Sequence, residues 1–199
     1  MREMTLDDLT RFDLYFPGHW VSGDDRDWAF GVGHALGLVQ SLFVEAVAAY
    51  ALFQPITTEN ALEHIQGKRD ESPYERCLNG MYAKAFVFAL NSIGELLRHL
   101  SADTKSPLRV QELYQEYQRH FGHLKHIRDS AIHIEDRGRG RTRHQQPLKT
   151  YLIVLGCFIE RRFTFTGEDG KQYEIEISDG TLEAARGIIQ EIIKAYTWK

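Results

Sequence analysis

Cysteine is scarce in this chain and has no pattern: among 199 residues there are two, Cys77 and Cys157. Their separation of 80 positions fits no metal or redox motif, and each is followed by an apolar residue, Leu78 and Phe158. This predicts buried thiols in a reducing, cytoplasmic compartment. Proline is also rare, with five residues, and no low-complexity tract exists, which excludes collagen-like and linker classes. Positive charge is not in excess either. The 24 Lys and Arg stand against 28 Asp and Glu, a net charge of −4, so any site for a polyanion must be local. The N-terminal MREMTLDDLTRFD places acids where a secretory signal needs a basic start and an apolar run. The uncharged run from Trp28 to Val44 is only 17 residues long and contains His34, Gln40 and Ser41, so it reads as a core helix, with no membrane partner expected. No phosphate-cradling G-x-x-x-x-G-K-[ST] loop is present, which disfavours P-loop nucleotide hydrolysis.

What is present is helical periodicity. The length suits one domain over residues 1–199. Ser22 and Asp25 form an S-x-x-D capping box, after which Trp28, Val32, Ala35, Val39, Leu42, Ala46 and Ala49 recur every three or four residues. The spacing predicts a core helix over 25–53. Ser72, Pro73 and Glu75 open a second, over 73–101, with Leu78, Met81, Ala85, Phe88, Ser92, Leu96 and Leu100 inward. Ser106 and Pro107 open a third, over 107–137, with Leu113, Tyr117, Phe121, Leu124, Ile127, Ala131 and Ile134 inward. Across 150–178 the pattern changes to YLIVL, RRFTFT and KQYEIEIS, with GEDG as a hairpin connection. Asp179 or Thr181 caps a final helix over 180–197, with Leu182, Ala185, Ile188 or Ile189, Ile192 and Tyr196 inward. The fold class is mainly all-α: a long-helix bundle with a small antiparallel β-hairpin before the C-terminal helix. Gly33 and Gly37 have a small-x-x-x-small spacing that favours close helix approach, within the bundle or across a dimer.

Reactive polar side chains are densest on the third helix and the loop after it. Between Arg119 and Lys149 there are eight Lys and Arg against three acids, a local charge of +5. Arg137, Arg139, Arg141 and Arg143 lie in or beside the loop RGRGRTRHQQP. They are either an RNA-binding surface or simply a flexible, solvated loop. Within this window HIRDSAIH, from His126 to His133, places Arg128, Asp129 and His133 in R-x(4–6)-H spacing. Three other pairs share that spacing: Arg119 with His126, Arg137 with His144, and Arg139 with His144. Only Arg119 also has a polar residue, His120, directly after it. Arg128 differs from all of them in lying near the end of the third long helix.

That context resembles the HEPN superfamily (higher eukaryotes and prokaryotes nucleotide-binding), whose motif arginine is usually followed by Asn, Asp or His. The likeness covers residues 25–137 in architecture and about ten residues in sequence, RDSAIHIEDR. It implies a metal-independent endoribonuclease acting in a toxin, defence or stress-response setting. It also implies a homodimer and a neutralising antitoxin or regulatory protein as partner. Arg128, Asp129 and His133 would be the catalytic residues, with His126, Arg137, Arg139, Arg141 and Arg143 holding RNA. The chemistry is coherent: a neutral imidazole takes the 2′-hydroxyl proton and a guanidinium meets charge accumulating on the phosphate. On a straight helix, however, His133 lies about 140° round from Arg128. The helix is therefore distorted there, or two chains complete one site. Toxins of the superfamily carry a tyrosine two residues beyond the motif histidine, and Glu135 stands at that place here.

Two other readings stay open. The chain is a non-catalytic RNA- or protein-binding dimerisation module, or His120, His123 and His126 form an H-x-x-H-x-x-H metal ladder. The ladder lacks a cysteine or a well-placed carboxylate to complete a four-ligand set.

Overall fold

Asp25 starts the first long helix. Its backbone is extended (φ −91°, ψ 106°) and its carboxylate accepts the Trp28 amide at 3.1 Å, satisfying one of the free N–H groups of the first turn. The cap is therefore Asp25 alone, rather than a box with Ser22. The chain is described here by a computed structural model covering residues 6–54, 63, 66, 72–150 and 152–199. After a short helical turn at Leu6–Leu9 the order is α1 (Arg26–Leu52), α2 (Pro73–Ala102), α3 (Leu108–Phe121), α4 (Leu124–Ile132) and α5 (Ile134–Gly138). Strands β1 (Leu155–Ile159), β2 (Arg162–Thr166) and β3 (Gln172–Glu176) follow, then α6 (Asp179–Ala195). The fold is thus mainly helical, with a small antiparallel sheet before the last helix as expected, its hairpin of β2 and β3 joined by β1 as a third strand.

The α1–α2 pair forms the largest helix contact, and α3 and α4 pack on α2. Val32, Leu36, Val39 and Phe43 of α1 meet Phe86, Leu90, Ile93 and Leu97 of α2 in one core. Each such side chain stabilises the fold by about 1.5–3 kcal/mol relative to exposure. The inward face of α2 is rotated from the expected one: Leu78 and Met81 are exposed while Ala83, Phe86 and Val87 are buried. The reason is visible in the sequence, where Ala83 to Leu90 offers apolar residues on more than one helical row and the tertiary partner chooses among them. Tyr117 fastens α3 to α2 by donating its hydroxyl to the Leu90 carbonyl at 2.7 Å.

The predicted third helix over 107–137 is three helices. α3 stops at Gly122, where a Cβ would fall 2.6 Å from the Gln118 carbonyl oxygen. The second interruption is at His133, whose backbone (φ −102°, ψ 39°) leaves the helical region between α4 and α5. Ser106 does not cap α3; its hydroxyl meets that of Tyr196 at 3.0 Å.

The sheet is a β1-β2-β3 meander. Its first strand starts only at Leu155, the last residue of YLIVL, and the register slips between Leu155 and Cys157, where Gly156 adopts φ +76°. Phe163, Phe165 and Ile175 face inward, and the sheet packs on α4. Ser130 of α4 donates to the Thr166 carbonyl at 2.8 Å, tying the helix to β2. Ser178, rather than Asp179 or Thr181, caps α6 by accepting the Thr181 amide at 3.3 Å. Leu182, Ala185, Ile188, Ile189 and Ile192 are buried as their spacing predicts.

Cys77 and Cys157 are free but exposed, not buried. Cys77, between Arg76 and Leu78, lies on the outer side of α2, and Cys157 alternates with Phe158, the residue whose ring meets Phe53 and Phe163.

Candidate functional site

The interruption at His133 places the candidate residues. Arg128 and Asp129, one turn earlier on α4, form an ion pair in which Nη2 and Nε of the guanidinium both donate to Oδ1, at 2.6 and 3.0 Å. About a quarter of each side chain is exposed, 28% and 24%, so the pair is reachable from solvent. His133 is half-buried. Its amide donates to the Asp129 carbonyl at 3.1 Å and its carbonyl accepts the Arg137 amide at 3.1 Å. Its imidazole makes no hydrogen bond to the described residues. His133 lies just past Ile132, the last residue of α4, and just ahead of α5, so the straight helix expected from the spacing ends at it, while its amide still closes the helical bond to Asp129.

The imidazole keeps acidic company that the motif alone does not suggest. Ligand-capable atoms of His133, Glu135 and Asp136 all lie within 4.8 Å of one another. Asp136 is held on one side by the Gln145 amide, which donates to Oδ1 at 2.8 Å. Two roles fit this set: carboxylates offering opposite charge to an imidazolium, or three ligands for a divalent ion of the zinc class. The H-x-E-D spacing is legible in the sequence, but its convergence depends on the non-helical backbone of His133. The His120, His123 and His126 ladder does not converge. The α3–α4 junction falls inside it, and among the described residues the His133 group is the one set of three close metal-capable side chains.

The expected RNA-binding residues divide. His126 stacks face to face on Tyr173 of β3, ring centroids 4.3 Å apart and planes 12° apart. The Tyr173 hydroxyl donates to Asp169 at 2.7 Å, and that hydrogen bond to a carboxylate pushes the phenol above its usual range. Neighbouring His123 is held below the ordinary histidine value by burial. Arg139, Arg141 and Arg143 are exposed. Arg143 stands 3.5 Å from Glu168, and Arg141 reaches the Gln145 side-chain oxygen at 3.4 Å. Their loop is built rather than flexible. Arg141 bridges Pro147, the Thr142 amide donates to the Gln146 carbonyl at 2.7 Å, and the Leu148 amide donates to the Gly140 carbonyl at 2.8 Å.

Arg137 is the exception. It is fully buried at 0% exposure, so it is not a surface contact for RNA. Nη1 donates to the Arg141 carbonyl at 2.8 Å, Nε lies 3.5 Å from the Ser130 hydroxyl, and Nη2 has no partner. Arg137 fastens the start of the arginine loop onto α4 from beneath. A sequence rich in arginine gives no sign of which one turns inward.

Comparison of the chain with known protein families, with curated proteins and with solved structures gives no match in any of the three.

Proposed function

We propose that this protein is a HEPN-like, metal-independent endoribonuclease of toxin, defence or stress-response type. The observation that carries the reading is the helix break at His133, one turn from the accessible Arg128–Asp129 pair, beside a basic loop in a chain that is acidic overall. His133 takes the proton from an RNA 2′-hydroxyl, whose oxygen attacks the adjacent phosphorus. The bond to the 5′-oxygen breaks, and that oxygen takes a proton from solvent water as it leaves. The products are a 2′,3′-cyclic phosphate and a 5′-hydroxyl. Arg128 meets the negative charge building on the phosphate oxygens, and Asp129 holds the guanidinium in place. Arg139, Arg141 and Arg143 draw the strand in by charge.

A second reading has its own support. The Arg128 guanidinium is already neutralised by Asp129, which suits a binding or dimerisation module without catalysis. Incubation of the protein with single-stranded RNA in excess EDTA separates these readings. Cleavage that persists and leaves cyclic phosphate ends is the expected result. Absence of cleavage with or without chelator leaves the binding module as the account. Activity abolished by EDTA and restored by zinc assigns the chemistry to a metal at His133, Glu135 and Asp136 instead.

A further inference from the structure

The cleft between α2 and α3 holds polar groups that the fold leaves unused. It encloses about 410 Å³, and its lining includes Asn91, Glu95, Arg98, Tyr114, Gln118 and Lys125. Asn91 is 8% exposed, yet its side chain makes no hydrogen bond with the described residues, and its Nδ2 is shut away from solvent without a partner. A buried amide left in that state destabilises the empty fold. The Gln118 side chain likewise makes no hydrogen bond with the described residues. Two glycines flank its amide. A Cβ on Gly94 would stand 3.7 Å from its Nε2 and 3.2 Å from Cε1 of Tyr117, and one on Gly122 would stand 3.0 Å from its Oε1. Space beside this amide is therefore kept by the absence of side chains at both positions.

The charged residues of the cleft divide. Nε of Arg98 donates to Glu95 at 3.0 Å, so these two satisfy each other. Lys125 is exposed and has no ion pair with the described residues. It precedes Arg128 and Asp129 by three and four positions on α4, which puts all three on one side of that helix. The cleft therefore opens beside the candidate site.

We propose that this cleft reads one adenine of the RNA strand, with Asn91 and Gln118 as specificity-determining residues. The role rests on the ribonuclease reading and adds the choice of base. A side-chain amide presents a donor and an acceptor side by side, the pattern that matches N6 and N7 of adenine. Guanine is read instead by a free Arg or Lys, and the amino group of cytosine by a free carboxylate. Here Arg98 and Glu95 are engaged with each other, while the two amides are unengaged. Asn91 turns about its last side-chain torsion, which is broad, to hold N6 and N7, and Gln118 takes the remaining N6 hydrogen. Tyr114, Tyr117 and Phe121 form the aromatic wall for the ring. Lys125 is left for the phosphate that leads from this nucleotide toward Arg128. The strand must be single, because the base leaves its stack to enter.

Two short single-stranded RNAs test this, one all uridine and the other identical except for one central adenosine. Fluorescence anisotropy on 2′-O-methyl versions, which have no free 2′-hydroxyl and are not cleaved, reads recognition apart from catalysis. The adenosine strand is expected to bind about tenfold more tightly. Asn91→Leu should abolish that difference, keep the all-uridine affinity within about twofold, and raise the melting temperature by removing the unpartnered amide. Gln118→Leu, at a half-buried position, should reduce the preference about threefold. With unmodified RNA the parent should cut next to the adenosine. Equal affinity for the two strands overturns the proposal, as does a preference that survives in both variants. Displacement of the strand by micromolar adenosine monophosphate also overturns it, by assigning the cleft to a free nucleotide. Cleavage without regard to adenosine overturns the base subsite and leaves the ribonuclease reading standing, whereas an adenosine preference in binding with no cleavage supports the subsite and overturns that reading.

Discussion

The outer face of α1 and the α4–α5 region both break the usual rule of charge outside and apolar inside, in opposite directions. On α1, Phe30 and Val44 face solvent without a charge between them. At α5, Arg137 is buried, and among the described residues no carboxylate pairs with it. The two inversions have different costs. Exposed apolar area is tolerated by the monomer and is relieved when another surface covers it. A buried guanidinium must be supported where it stands, and one carbonyl at 2.8 Å with a distant hydroxyl is thin support. An exposed apolar surface can therefore be relieved from outside the chain, whereas a buried cation acts on the segment it fastens.

Arg137 offers the larger test of this contrast. Arg137→Ala removes the stem packing and the tie to the Arg141 carbonyl, and should destabilise the protein by about 2–4 kcal/mol in urea unfolding. Arg137→Met keeps the volume while removing a buried charge, and should lie within about 1 kcal/mol of the parent. Equal losses in the two variants would show that the charge itself is needed. The smaller test concerns the exposed arginines of the same loop. Replacing Arg139, Arg141 and Arg143 together by Gln should weaken RNA binding and reduce the salt slope, log Kd against log salt, by about 1–2 for single-stranded RNA. The upper end of that range requires all three to meet phosphate, and Arg143 already faces Glu168. An unchanged slope would remove the loop from the RNA-binding surface.

Much of the fold is legible in the sequence because periodicity reports burial directly. Leu113, Tyr117, Phe121, Leu124, Ile127 and Ala131 keep one face across the α3–α4 junction, and all are buried. The same regularity hides the interruptions. Apolar spacing continues through Gly122 and His133, although the backbone hydrogen-bond ladder does not, so one long helix is read where three exist. Caps are harder still. Ser22, Ser106 and Thr181 are all good capping residues by type, yet the N-cap positions are Asp25, Pro107 and Ser178. At the candidate site, residue types and spacing mark Arg128, Asp129 and His133. The convergence of Glu135 and Asp136 on His133 follows from the local backbone at His133 and the inward turn of Arg137 from tertiary packing, and the residue types alone determine neither.

The central claim is that the imidazole at the helix break removes a proton from RNA. The most direct measurement is the single-turnover rate of single-stranded RNA cleavage by His133→Ala, beside its RNA affinity and its melting curve. A loss of about 10² to 10⁴ in rate, with affinity and folding retained, is the predicted result. A folded His133→Ala protein that cleaves RNA as fast as the parent would contradict the claim.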